Sequence, residues 1–194
     1  MIDPIYFITG NRDKYSELAE ILPVLVQVDI DLPEVQAIDS RDVIAAKLAE
    51  ARERMPGKAI LVEDTALHLA CLNGFPGAMI KWMLSACGCE GIYRMCAAMG
   101  EPSAEARTVL GYLAAADREP LYFVAVLTGC IRAPMGNSGF GWDPIFVPSG
   151  HEVSLAEMPE AILRSIKMRR RAAERLRDEA IQHSSIANNK DWRY

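Results

Sequence analysis

The feature that most constrains this chain is the junction near its start. Ile5-Tyr-Phe-Ile-Thr9 is an apolar run of β-branched and aromatic residues, and it passes through Gly10-Asn11 into a stretch with Leu18, Ile21 and Leu22 at helical spacing. That reads as a strand, a tight turn and a helix. The alternation continues. Val24 to Ile30 reads as a second strand stopped by Pro33, and Ser40 is placed to cap a helix carrying Val43, Ile44, Leu48 and Ala51. Ala59 to Val62 reads as a buried strand ending at Glu63-Asp64.

Further along, the turn residues of Gly74-Phe-Pro-Gly77 predict a loop, with helices from Lys81 to Ala86 and from Glu90 to Met99. Thr108 to Ala114 and Leu121 to Ile131 are dense in Val, Leu, Tyr and Phe, and Asp117-Arg-Glu-Pro120 between them predicts an antiparallel pair joined by a turn. A Gly/Pro-rich loop from Ala133 through Pro148 follows, then one long basic helix from about Pro159 to Ile181. The end of the chain, residues 185–194, reads as a flexible tail. Early alternation with strands clustered in the middle predicts an α/β fold with a mixed sheet flanked by helices, in a single domain spanning residues 1–194.

Composition excludes several classes. In 194 residues, 51% hydrophobic content is enough for a substantial core, and a net charge of −5 gives no reason to expect nucleic-acid binding. No apolar run reaches the roughly 20 residues of a membrane helix. Met1-Ile-Asp-Pro4 also lacks the order of a signal peptide, so a cytoplasmic protein without a membrane partner is expected. The five cysteines are odd in number and show no CxxC, which disfavours a disulfide framework or a zinc site. Cys87-Gly-Cys89 with His68 and Cys71 comes nearest to a metal motif, at spacings unusual for a tetrahedral site; buried reduced thiols are the default.

Several residues have side chains suited to chemistry. Thr9-Gly-Asn-Arg-Asp-Lys14 brings a strand end, a Gly turn and a helix start together, so backbone N–H groups and Lys14 would meet an anion; alone, such a junction is ordinarily a structural turn. Glu34, and Glu63-Asp64 with Thr65 beside them, supply hard oxygen ligands suited to Mg²⁺, although Asp64 as a turn cap and Glu34 as a solvated acid are equally ordinary readings. Phe140-Gly-Trp-Asp143 sets two aromatics and an acid in a glycine-rich loop, the parts of a base pocket or of a small satellite core. The basic run Lys167-Met-Arg-Arg-Arg171, with Arg164 and Arg175, has a solvated surface as its plain reading.

Taken in order, Thr9-Gly-Asn-x-x-Lys14, Asp31-Leu-Pro-Glu34, Val62-Glu-Asp-Thr65, Gly74-Phe-Pro-Gly77, Ile80-Lys-Trp82 and Phe140-Gly-Trp-Asp-Pro144 resemble the inosine triphosphate pyrophosphatase, or Ham1-like, family. The similarity runs from Ile5 to about Leu176. It implies an elongated α/β fold with two lobes around a cleft, usually a homodimer, that hydrolyses non-standard purine nucleoside triphosphates between the α- and β-phosphates. Carried over by position, the resemblance has Thr9, Gly10, Asn11 and Lys14 hold phosphates with help from Lys47, Thr65 and Lys81. Glu34 and Asp64 serve a Mg²⁺ ion, with Mn²⁺ as the alternative, and its attacking water; Asp64 is metal ligand or general base. Phe140, Gly141, Trp142, Asp143 and Arg169 line the base site.

One stretch departs from the pattern. The family's last helix carries Ser-His-Arg with a lysine a few residues earlier, and this chain has Lys167-Met168-Arg169 with Leu163 at the lysine position unless Lys167 replaces it. A methionine cannot donate the hydrogen bond of a histidine. Altered base specificity is therefore expected, and a catalytically inactive nucleotide-binding or scaffolding protein on the same fold is the competing reading.

Overall fold

The computed structural model describes residues 4–115, 119–136 and 139–188. Among them lie strands β1 (Ile5–Ile8), β2 (Leu25–Val28), β3 (Ala59–Leu69), β4 (Pro76–Gly77), β5 (Ser103–Leu113), β6 (Leu121–Ile131) and β7 (Phe146–Pro148). The helices are α1 (Arg12–Ala19), α2 (Ser40–Arg54), α3 (Ile80–Met99), α4 (Glu160–Ile166) and α5 (Met168–Asn188). They build one mixed open sheet in the order β2-β1-β3-β5-β6-β7, with β4 on β3 and helices on both faces. The β1 strand is parallel to both neighbours, and β3, β5, β6 and β7 are antiparallel to one another.

Two faces divide the core by the period of two. Phe7, Leu61 and Leu110 pack with Leu18 of α1 and Ala172 and Leu176 of α5. Ile8, Ile60, Val62 and Val109 point the other way and pack on Ile44 and Leu48 of α2. That helix sits directly on the sheet: a Cβ on Gly111 of β5 would lie 2.2 Å from Ile44 Cγ2, so only glycine permits the approach. A third cluster joins Leu67, Ile80, Ile92, Trp142 and Phe146 beyond the end of β1.

Three local expectations are corrected. Glu63-Asp64 does not end its strand: β3 runs on to Leu69 because β5 pairs it continuously from Ile60↔Leu113 to Leu69↔Ala104, and a partner's ladder overrides the local drop in hydrophobicity. Asp64 therefore caps no turn. Ser40 does not cap α2 either; Asp39 does, accepting from the Arg41 N–H at 2.9 Å, and Ser40 is buried as the first helical residue. The two helices expected across residues 81–99 are the two arms of α3, which meet at Gly88, whose φ of 62° only glycine adopts readily.

The long last helix is two helices, turned at Lys167 with ψ at 119°. No proline or glycine marks that turn. Leu163 and Ile166 before it and Met168 after it all pack into the third cluster, and Met168 also reaches the first, so the break lets both helices bury apolar faces that a straight helix would leave divided. The α5 backbone stays helical through Asn188; the rest of the expected tail lies outside the described residues, as does part of the β5–β6 turn. No helix of the described residues is long and apolar enough to cross a membrane.

Candidate active site

The site grows from the end of β1. Its last pair with β3 is Phe7↔Leu61, after which β1 leaves through Thr9-Gly10 into α1 while β3 continues. An open cleft of about 410 Å³ results, lined by residues that include Thr9, Gly10, Lys14, Asp31, Glu34, Lys47 and Glu63. This is the carboxyl end of a parallel strand, the usual ligand position in an open α/β sheet. The turn itself is more self-satisfied than the sequence implies. Asn11 caps α1 by accepting from the Asp13 and Lys14 N–H groups at 2.9 and 3.1 Å, and Thr9 Oγ1 accepts from the Asn11 N–H at 3.1 Å. Those three donors are taken by the turn, which leaves the Lys14 ammonium as its main contribution to an anion.

The two adjacent acids of β3 separate to opposite faces of the sheet, because successive strand residues must. Glu63 shares the face of Leu61. Its side chain is 1% exposed, with Lys14 Nζ at 2.6 Å, Arg169 at 3.3 Å and the Thr65 hydroxyl donating to it; Thr65 in turn meets Thr108 at 3.0 Å. Burial opposes the Glu63 charge, yet the Arg169 guanidinium and the Lys14 ammonium outweigh it and hold the carboxyl well below the usual carboxylate range. Arg169 also grips Glu17 of α1 at 2.6 Å. Burial disfavours its charge, and Glu63 and Glu17 more than restore it. Arg169 thus bridges α5, α1 and β3, and its guanidinium is engaged by protein carboxylates.

Asp64 takes the α2 face. Its Oδ2 is buried without a hydrogen-bond partner, and burial raises its carboxyl above the ordinary aspartate value, opposed by the Ser40 hydroxyl and by Lys47. The Ser40 hydroxyl is close enough to favour the anion although its own hydrogen bond is not closed. Lys47 lies 4.0 Å from Glu34, and Lys81 Nζ, at the start of α3, donates to Glu34 at 3.4 Å. Lys47 therefore stands between Asp64 and Glu34. Lys14, Glu34 and Lys47 line the cleft from α1, a loop and α2, with Lys81 of α3 joined to it through Glu34 and Asp64 of β3 through the charge of Lys47.

The loop at residues 139–143 is different in kind. Phe140 is 68% exposed, whereas Trp142 is 7% exposed in the third core cluster. The Asp143 carboxylate accepts from the Phe140 N–H at 2.7 Å, and the Cys89 thiol donates to the Gly141 carbonyl at 3.4 Å. Burial raises the Asp143 carboxyl, while the Phe140 N–H, Lys167 and Arg169 pull it down. The satellite-core reading holds for Trp142, and the open ring is Phe140. Leu163 and Met168 pack into the same cluster as Trp142, and Lys167 at the turn lies 3.9 Å from Glu160 and close enough to lower the Asp143 carboxyl.

Glu17 and Ser40 escaped the sequence reading as site members, and Glu63, read there as a possible metal ligand, is instead the partner of Lys14. The one available signal was Glu63 beside Asp64, since period two already predicts that neighbours face apart. The Cys/His motif dissolves: His68 Nδ1 bonds the Gly74 carbonyl at 3.0 Å, Cys71 meets Cys96 at 3.6 Å, and among the described residues no three His, Cys, Asp or Glu side chains gather as a metal site. The basic run is not merely solvated. Arg164 and Arg170 bind Glu20 at the end of α1, while Arg171 and Arg175 donate to the Val126 and Val124 carbonyls of β6.

Known proteins are similar to this chain along most of its length. Residues 5–179 match the Ham1 family. An inosine triphosphate pyrophosphatase of Schizosaccharomyces pombe is 36% identical over 181 residues, covering 92% of this chain and 95% of that protein. Another from Aspergillus oryzae is 40% identical over 159 residues, 80% of this chain and 82% of that one. Among solved structures, a HAM1 protein from Coxiella burnetii superposes with a TM-score of 0.79 at 24% identity, covering 93% of this chain and all of that one. The Ham1 protein of Staphylococcus aureus gives 0.75 at 21% identity, with the same coverage. The fold is thus shared with solved Ham1 proteins, and the sequence, matched along nearly its whole length, belongs to the Ham1 family.

Proposed function

We propose that this chain is a nucleoside triphosphate diphosphatase that hydrolyses a non-standard purine or specialised nucleoside triphosphate to the monophosphate and pyrophosphate. The observation that carries the reading is the cleft at the end of β1 lined by Lys14, Glu34 and Lys47, with Lys81 paired to Glu34 and Asp64 within reach of the Lys47 and Lys14 charges. Three ammonium groups suit a triphosphate, and two carboxylates suit a hard divalent cation, which takes one or two protein carboxylates and completes its shell with water and phosphate. The buried Asp64 carboxylate fits such a ligand, and Glu34, already flanked by two lysines, supplies the second oxygen donor. When bound, Mg²⁺ or Mn²⁺ neutralises charge on the phosphate oxygens and acidifies water.

The protein's own groups perform the rest. Lys14, Lys47 and Lys81 hold the phosphate chain and offset the charge that builds on the leaving pyrophosphate. Asp64, whose carboxyl is raised by burial, is the group in this cleft suited to orient the attacking water and accept its proton. Glu63 serves by keeping Lys14 in place, since the ion pair at 2.6 Å fixes the ammonium at the cleft wall. Phe140 offers a ring face to the base, and Asp143 an acceptor for a ring N–H. Thr9, Gly10, Asn11 and Thr65 shape the phosphate wall, and Arg169 acts through Glu63 rather than on the nucleotide. A homodimer, a cytoplasmic location and the absence of nucleic-acid partners belong to the same reading and come from the family resemblance and the acidic charge.

The test is pyrophosphate release from inosine, xanthosine, adenosine and guanosine triphosphates and their deoxy forms, with Mg²⁺ and with chelator, for wild type and Asp64→Asn. Turnover that requires the metal and Asp64 is the expected result. No turnover with any nucleotide, together with retained nucleotide-dependent thermal stabilisation, would overturn it in favour of a binding or scaffolding protein.

A further inference from the structure

Ser40 is a buried hydroxyl without an evident purpose. It is 1% exposed, its Oγ closes no hydrogen bond, and the capping role it might have filled belongs to Asp39. A buried polar atom left unpaired is uncommon in a folded protein, because it gives up its water without replacement. One turn and then two turns along the same face of α2 stand Ile44, packed on Ile60 and Val62 of β3, and Lys47, beside Asp64. The positions i, i+4 and i+7 aim one stripe of the helix at β3, which places Ser40 and Lys47 on either side of Ile44 and both toward Asp64. On the strand, Asp64 follows Val62 by two and so shares its face; its Oδ2 is likewise buried and unpaired. Two orphaned groups, one donor and one acceptor, therefore face the same narrow space between α2 and β3.

We infer that Ser40 is a positioning residue: its hydroxyl donates to the Asp64 carboxylate, so that the other carboxylate oxygen is held toward the cleft. The inference rests on the hydrolase reading for its consequence and on the two unpaired atoms for its geometry. Ser40 touches no substrate. It limits the carboxylate to one rotation about its Cβ–Cγ bond, while Lys47 balances the charge from the other side. An alanine would fill the position as well for packing alone, which makes the hydroxyl the part to be explained.

The experiment has two arms on the full chain. In the first, steady-state hydrolysis of inosine triphosphate with Mg²⁺ is compared for wild type, Ser40→Ala and Ser40→Cys. Loss of the donor lowers kcat about tenfold in both variants with KM within about twofold; Cys, which keeps the volume but donates weakly, separates hydrogen bonding from packing. Wild-type kcat in either variant would overturn the inference. In the second arm, thermal unfolding is measured for Ser40→Ala, Asp64→Ala and the double variant without nucleotide or metal. Coupling is expected: Ser40→Ala lowers Tm by about 3 °C in the wild-type background and not in the Asp64→Ala background. Additive shifts would overturn the pairing. A wild-type chain that hydrolyses no nucleotide would sink the hydrolase reading instead, and the unfolding cycle would still decide whether the two groups interact.

Discussion

The walls of the cleft at the end of β1 and the loop at residues 139–143 are built on opposite plans. In the cleft, charged side chains from α1, α2, α3 and β3 meet in opposed pairs, and the buried Glu63 is held as an anion by two cations. In the loop, a tryptophan turns inward, a phenylalanine turns outward, and Leu163 and Met168 close the wall with apolar surface. In the proposed reading, phosphate chemistry falls to fixed, preorganised charge and base contact to a mostly apolar platform. The contrast also predicts where a mutation harms turnover and where it harms folding.

The largest expected effect breaks the cleft. Asp64→Asn should lower kcat by about a thousandfold, in the range of a lost acid–base group, and raise the thermal midpoint at pH 7. The sign follows from the raised Asp64 carboxyl: an acid whose folded pKa exceeds its unfolded value costs stability as pH rises through that interval, and asparagine removes the cost. At about pH 3, below the ordinary carboxylate range, the two proteins should melt together. A neutral-pH midpoint lower in the variant would contradict the placement of Asp64 as a strained buried acid.

The loop yields a sharper contrast between neighbours. Trp142→Ala removes a buried core side chain and should cost about 3–5 kcal/mol in chemical denaturation. Phe140→Ala should leave unfolding unchanged and weaken nucleotide binding by about 1–2 kcal/mol, the loss of one stacking face. Equal effects on stability would show that the division within the loop is misread.

Glu63→Gln comes next, with an expected loss of about 3 kcal/mol at pH 7, since Lys14 and Arg169 are left without their shared counterion. Here the pH dependence runs opposite to that of Asp64. The Glu63 carboxyl is held low, so its stabilisation is present above the unfolded glutamate pKa of about 4.3 and disappears as pH falls below it. Wild type should lose stability steeply in acid and Glu63→Gln should not, as followed by urea midpoints across a pH series. The smallest effect is on the exposed Lys81, where Ala substitution should raise KM about fivefold with kcat and Tm nearly unchanged, because its pair with Glu34 is solvent-screened.

The junction at the cleft was legible in sequence because its parts are local, whereas Lys47 entered only through the family resemblance. Thr9-Gly-Asn-x-x-Lys14 is a strand–turn–helix junction whatever surrounds it, and the residue types at Glu34, Asp64 and Lys81 carry their chemistry with them. What was not legible depends on partners distant in the chain. The extension of β3 past Glu63 needs β5, the fate of Arg169 needs Glu17, 152 positions away, and the break at Lys167 needs the cluster that receives Leu163 and Met168.

By itself the sequence determined the α/β alternation, the mixed sheet and the set of ionisable groups, since periodicity and turn chemistry act over a few residues. Only the tertiary structure decided which of two adjacent acids meets Lys14 and which meets Ser40 and Lys47, which aromatic of Phe140-Gly-Trp142 is open, and that the basic run is paired. Those outcomes follow from burial and long-range contact, which fix the side on which a residue lies and the charge it faces, and neither is written in its immediate neighbours.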